Sequence, residues 1–253
     1  MSRYRKPLAL RPNPVETPIR TAMVLAAGLG KRMRPLTASR PKPLVEVAKK
    51  TLLDHVLDHL RVAGITRVVV NVHYLADAIE AHLRARVKDM EVIISDERKQ
   101  LLETGGGLVK ALPLIADDQF LVVNSDNYWV DGPVDAIRLL GQRWDDATMD
   151  ALLLMVPLAR AHCHRGQGDF HMDPIGRLSR RKPGKVAPFV FTGVQVISRR
   201  LLEDAPEGSF STNLLWNRAI VAGRCFGVVH QGLWFDVGTP PAIARTEAIL
   251  AHG

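Results

Sequence analysis

Two cysteines, Cys163 and Cys225, are all the thiol chemistry that the 253 residues offer. That is too few for a disulfide framework or a four-cysteine zinc site. Aromatic residues make up only 6% of the chain, and its Lys and Arg are spread through loops rather than gathered on one helix face. A nucleic-acid binder would interleave clustered cations with stacking rings, so no specific nucleic-acid partner is expected. The formal charge of +8 still suits smaller anions such as nucleotides and sugar phosphates. No apolar run nears the roughly eighteen residues of a membrane span. The Pro- and Arg-rich opening stretch has no apolar signal core either. The expectation is a cytoplasmic protein with no membrane partner.

What the chain does contain is an alternation. Residues 1–19 read as an N-terminal extension, and residues 20–253 as one domain. All-apolar or nearly apolar strands are expected at Arg20–Ala27, Val68–Val72, Glu91–Ile94, Phe120–Val123 and Ala151–Val156, the second broken only by Asn71. Helices are expected between them at Thr51–Ala63, Leu75–Arg86, Gly105–Leu112 and Val134–Trp144, with Gly64 stopping the first. Strands without polar alternation, separated by helices, imply a sheet covered on both faces. The fold class is therefore α/β, a doubly wound, mixed but mostly parallel sheet. After Val156 the rhythm changes to a hairpin around Asp173-Pro174-Ile175, a strand at Val190–Ile197, a helix at Leu214–Ala222, a strand at Cys225–Val229 and a closing helix at Pro240–Leu250. This half is expected to add a mixed-strand lid or substrate region, with Val156–Gly168 as a loop over the site.

The first strand runs into Ala26–Leu44, AAGLGKRMRPLTASRPKPL, which packs two glycines, five cationic side chains and three prolines into nineteen residues. Clustered like charges repel, so an anion is expected to offset them. Gly28 and Gly30 let backbone N–H groups approach phosphate oxygens. A Walker A loop would need a hydroxyl where Arg32 stands. A dinucleotide fingerprint would need a third glycine at Met33 and an acidic residue closing the second strand, which instead ends Asn71-Val72-His73-Tyr74. What remains is a loop for a nucleoside triphosphate.

The full pattern, Leu25-Ala26-Ala27-Gly28-x-Gly30-x-Arg32-Met33-x-Pro35-Leu36-Thr37 continuing to Pro41-Lys42-Pro43-Leu44, resembles the signature of the sugar-1-phosphate nucleotidylyltransferases. The resemblance extends to Gly238-Thr239-Pro240 and implies a Rossmann-like nucleotidyltransferase fold. It also implies a reaction: a sugar-1-phosphate attacks the α-phosphorus of a nucleoside triphosphate and pyrophosphate leaves. By position, Arg32 would clamp the triphosphate and the leaving pyrophosphate, and Lys42 the α-phosphate and its attacker. Ala26, Ala27, Gly28 and Gly30 would line the nucleotide.

Magnesium is the implied cofactor, with Asp126 and Asp236 as the family's two metal aspartates; Asp236 could also cap the closing helix. Glu103-Thr104-Gly105-Gly106-Gly107 falls where relatives read the base, so Thr104, Gly105, Gly106 and Gly107 are candidates for it. Consecutive glycines are costly in a helix, and a flat base lying on the backbone would justify them. Gly193 matches the family's sugar-side glycine. Lys182-Pro183 matches its second phosphate contact, except that Arg181 stands where the family has Glu. Asn213 could touch sugar hydroxyls or cap the helix after it. A zinc site at His162-Cys163-His164 is not expected, because neighbouring strand residues point to opposite faces.

With no hexapeptide-repeat tail, no acetyltransferase domain is expected. The stretch Glu103–Gly107 and the compact length look most like the N-acetylmuramate-1-phosphate uridylyltransferases of cell-wall recycling, with mannose-1-phosphate guanylyltransferases sharing most motifs. The expected partners are therefore UTP or GTP and a sugar-1-phosphate, and the expected assembly a monomer or homodimer. A nucleotide-binding regulator without turnover is the non-enzymatic alternative, and loss of Arg32, Lys42, Asp126 or Asp236 would have favoured it.

Overall fold

The structure, a computed structural model, describes residues 19–252. The expected extension over 1–19 lies outside them except at Ile19, which is 1% exposed and packs into the core. In chain order the elements are β1 (Thr21–Leu25), the short pair β2 (Glu46–Val47) and β3 (Lys50–Thr51), α1 (Leu52–Ala63), β4 (Arg67–Val72), α2 (Ala76–Arg86) and β5 (Glu91–Asp96). Then come α3 (Glu103–Ala111), β6 (Gln119–Asn124), β7 (Tyr128–Val130), α4 (Ala136–Arg143), β8 (Ala151–Pro157) and β9 (Ala161–His162). The last are β10 (Phe170–Met172), β11 (Leu178–Arg180), β12 (Phe189–Ser198), α5 (Asn213–Val221), β13 (Cys225–Val229), β14 (Leu233–Phe235) and α6 (Pro240–His252).

The main sheet runs β5-β4-β1-β6-β12-β8-β13, with the β10–β11 hairpin continuing beside the start of β12. β5, β4, β1 and β6 are parallel, while β12 enters antiparallel between β6 and β8. Alternate side chains leave opposite faces of the strands. Ala22 and Val24 face α1, α2 and α4 in one buried cluster, whereas Met23, Val69 and Val122 face α3 and α5 in another. Both faces are covered, which is why the strands carry no polar alternation. The second half therefore adds strands to the same sheet as well as a rim.

α1 starts where Thr51 accepts a hydrogen bond from the Asp54 N–H at 3.0 Å, and it stops at Gly64, left-handed at φ 85°. Both signals follow from sequence. A smaller sheet, β7-β14-β9, went unforeseen because each strand has only two or three residues. It packs with Met33, Val45, Val47 and Leu52 into a third buried cluster beneath the cationic loop.

Chain direction fixes where a ligand can sit. From β1 the chain goes outward to β4 on one side, and β6 lies on the other. The strand order thus reverses at β1, and the crevice beyond the carboxyl ends of β1 and β6 is the expected binding position. Leu25 pairs with Asn124 there.

Candidate active site

The loop leaving β1 is tied down at its first residue. The Ala26 N–H donates to Asn71 Oδ1 at 2.7 Å, and Asn71 Nδ2 donates to Glu97 Oε1 at 2.7 Å. The other Glu97 oxygen accepts from the Leu102 N–H at 3.2 Å. Asn71 and Glu97 are fully buried, so this relay locks the loop's root to β4 and to the segment before α3. Asn71 is the one polar residue in the run Val68–Val72, and that is the signal by which sequence could have found it.

Beyond Ala26 the prolines hold the chain in three short 3-10 turns, Lys31–Met33, Leu36–Ala38 and Lys42–Leu44. Gly30 is left-handed at φ 60°, and a Cβ there would lie 3.1 Å from the Lys42 stem. The loop therefore folds back on itself with Lys42 against Gly30, and the Thr37 hydroxyl donates to the Gly30 carbonyl at 2.8 Å. Met33, fully buried, pins its middle to the third cluster. Around Gly28 nothing would touch a Cβ within 4 Å, so its backbone faces open space.

That space is a cavity of about 520 Å³ lined by Ala26, Ala27, Gly28, Gly30, Arg32, Lys42, Thr104 and Asp126, among others. A second cavity of about 180 Å³ is lined by Arg32, Lys42, Asn124, Asp126, Asn127, His164, Asp169, Gly193, Trp234 and Asp236, among others. The two share Arg32, Lys42, Asn124 and Asp126. Two ligands could thus meet against two cations and a carboxylate.

Lys42 Nζ lies 2.5 Å from Asp126 Oδ2. Asp236 accepts from His164 Nδ1 at 3.2 Å. The hydrogen bond and charge of His164 hold the Asp236 carboxyl below its ordinary range against the opposing cost of burial, with Arg32 and Lys42 adding to the effect. Asp126 follows β6 and Asp236 follows β14, and β9 beside β14 delivers His164, so three separate segments converge. Gly193, at φ 87° in an irregular stretch of β12, lets the chain pass Asn127, whose amide nitrogen would lie 2.5 Å from a Cβ there.

Three sets of expected residues fall elsewhere. Gly105, Gly106 and Gly107 do not line the cavity. The Phe210 carbonyl takes both the Gly105 and Gly106 N–H groups, at 2.8 and 3.2 Å. A Cβ at Gly105 would strike the Phe210 ring, one at Gly106 the Gly208 carbonyl, and one at Gly107 Asn71 and Glu97. The glycines are there so that the 208–210 segment and the buried relay can close on α3. Lys182 is exposed on the turn after β11 and lines neither cavity. Asn213 is the first residue of α5 and donates to Ser211 Oγ at 3.0 Å, again outside both cavities.

Sequence reasoning missed Asn71, Asn124, Asn127, His164 and Asp169. The polar run Asn124-Ser125-Asp126-Asn127 at the end of a buried strand was a usable signal for two of them. His164 stands in the run His162-Cys163-His164, considered only as a zinc site, and nothing local marks Asp169, whose carboxylate accepts from the Phe191 N–H at 2.9 Å.

The family model described as "Nucleotidyl transferase" matches residues 21–162. The chain is 44% identical over 234 residues to an N-acetylmuramate alpha-1-phosphate uridylyltransferase of Caulobacter vibrioides, covering 91% of this chain and 97% of that one. It is 40% identical over 227 residues to a mannose-1-phosphate guanylyltransferase catalytic subunit beta of Danio rerio, covering 87% of this chain but 61% of that longer one. Among solved structures, HddC from Yersinia pseudotuberculosis superposes with a TM-score of 0.74 at 23% identity, over 92% of this chain and all of that one, a likeness of fold.

Proposed function

The chain belongs to the nucleotidyl transferase family, and we propose that it transfers uridylyl from UTP to N-acetylmuramate-1-phosphate, giving the nucleotide-activated sugar of cell-wall recycling and pyrophosphate. One observation carries the reading: the larger and smaller cavities join at Arg32, Lys42 and Asp126, outside the carboxyl ends of β1 and β6. The nucleotide occupies the larger cavity, its phosphates against the Gly28 and Gly30 backbone. The sugar phosphate occupies the smaller one, past Gly193.

A phosphate oxygen of the sugar-1-phosphate attacks the α-phosphorus. The new P–O bond forms as the bond to the β-phosphate breaks, and its electron pair leaves with pyrophosphate. Two anions must be brought together, so positioning and charge neutralisation carry the catalysis. Lys42 holds the α-phosphate and its attacker, and Arg32 the triphosphate.

Asp126 and Asp236 line the smaller cavity together, and among the described residues no cluster of three or more His, Cys, Asp or Glu could hold a metal. Two carboxylates completed by substrate phosphates and water suit magnesium, which would neutralise phosphate charge. Among the described residues no helix is long and apolar enough to cross a membrane, in keeping with a cytoplasmic enzyme.

The test is pyrophosphate release with magnesium across UTP, GTP, CTP and dTTP, against N-acetylmuramate-1-phosphate, mannose-1-phosphate and glucose-1-phosphate. Release with UTP and the muramate is the expected result. Release with GTP and mannose-1-phosphate would favour the second reading, which the 40% identity to the guanylyltransferase supports. Nucleotide binding without release anywhere would leave a regulatory protein.

A further inference from the structure

Arg32 borders three cavities, and the third is distinct from those assigned to the nucleotide and the sugar phosphate. It encloses about 360 Å³ between Arg32, Cys163, Arg165, Asp236 and the turn at 238–241 that opens α6. Arg32 and Asp236 also form part of the sugar-phosphate cavity, so the two spaces adjoin at that pair. Gly238 permits the closeness, since a Cβ there would lie 2.9 Å from Asp236 Oδ1 and 3.1 Å from Arg32 Nη1.

The charges of this cavity are two guanidiniums against one carboxylate. The carboxylate already has His164, whereas neither Arg32 nor Arg165 has a hydrogen-bond or ion-pair partner among the described residues. Pro240 and Pro241 carry no N–H, so the turn itself offers few backbone donors to an anion. Free guanidinium forks are donors matched to phosphate oxygens.

In phosphoryl transfer the attacking and leaving oxygens lie roughly in line across phosphorus. The leaving group is thus directed away from the attacking sugar phosphate, and the third cavity, which shares Arg32 and Gly238 with the nucleotide's cavity, is a space it can enter. We propose that the third cavity receives pyrophosphate as it leaves, and that Arg165 binds it there with Arg32. The proposal rests on the nucleotidyl-transfer reading above. As the bond from the α-phosphorus to the bridging oxygen breaks, the electron pair stays on that oxygen. Arg165 meets the charge of the pyrophosphate as it enters the third cavity, and no oxidant or further reactant is required.

The experiment runs the reaction backwards, from nucleotide-sugar and pyrophosphate, in wild type, Arg165→Ala and Arg165→Lys. Arg165→Ala is expected to raise KM for pyrophosphate about tenfold and to weaken pyrophosphate inhibition of the forward reaction by a similar factor. KM for the sugar-1-phosphate should stay within about twofold. Arg165→Lys, which keeps charge but loses the fork, should recover only part. An unchanged KM for pyrophosphate would overturn the proposal. So would a rise confined to the sugar-1-phosphate, which would assign the cavity to the sugar. Calorimetric titration of magnesium pyrophosphate into wild type and Arg165→Ala measures the site without turnover: weaker binding by the variant supports it, and equal binding sinks it. If wild type turns over no substrate pair, the reading of function fails, while the titration still decides whether the cavity binds pyrophosphate.

Discussion

Lys42 and Asp126, 84 residues apart in the chain, are ion-paired at 2.5 Å where the two substrate cavities meet. The lysine is only 12% exposed and the aspartate 35%. Each compensates the other's charge, and each is assigned a different ligand, a phosphate for Lys42 and the metal for Asp126.

Lys42→Ala removes the cation at the α-phosphate. By analogy with the loss of one preorganised donor, kcat should fall about 100- to 1,000-fold. Asp126 is open enough to regain water, so circular dichroism and thermal midpoint should stay close to wild type. A variant that keeps most of its kcat would remove Lys42 from the mechanism.

Gly28 and Gly106 make a controlled pair. Nothing lies within 4 Å of a Cβ at Gly28, whereas one at Gly106 would sit 2.1 Å from the Gly208 carbonyl. Gly28→Ala should unfold in urea as wild type does and raise KM for the triphosphate. Gly106→Ala should lose about 2–3 kcal/mol through overpacking. The reverse pattern would return the triple glycine to a ligand role.

Asn71→Ala unties the Ala26 N–H and takes a donor from Glu97, whose side chain is wholly out of water. The expected cost is about 3 kcal/mol. Asn71→Asp should cost more, since it buries a second carboxyl beside the first. Urea midpoints of the two variants give the order, and values equal to wild type would mean that the relay contributes nothing.

Stability should fall in mild acid. Burial holds the imidazoles of His55 and His230 below the ordinary 6.5. The folded state thus binds fewer of these protons than the unfolded chain, so the contribution is whole above about pH 6.5 and is lost as pH drops through the folded values. Each histidine accounts for at most about 1.4 kcal/mol per pH unit. Burial raises Asp135 instead, with the opposite sense, so its protonation in the folded state opposes the histidine effect as pH falls toward its raised value. Thermal midpoints from pH 8 to 5 should slope downward, and His230→Gln should flatten the slope. A flat wild-type profile would contradict the assignment.

Much of this molecule could be read before its structure. The buried strands, the helices with their Thr51 and Gly64 boundaries and the doubly wound class all followed from local periodicity and turn chemistry. So did the position of the loop at the end of β1. Arg32, Lys42, Asp126 and Asp236, which their motifs singled out, line the cavities. The expected residues that lie outside the cavities do so for a shared physical reason. Gly105–Gly107 invited a ligand, but which neighbour closes on a glycine is decided by a segment a hundred residues away. Lys182 and Asn213 matched by position while their side chains went to solvent and to Ser211.

The sequence by itself determined the elements, the anion-binding loop and the chemistry its residue types can perform, because these depend on spacing, backbone freedom and charge along a short stretch. Only the tertiary structure decided that Asn71 anchors the loop, that His164 bonds Asp236, and that Arg32 stands between three cavities. Those relations depend on which distant strand ends lie side by side. That is set by sheet order and packing, and no local pattern carries it.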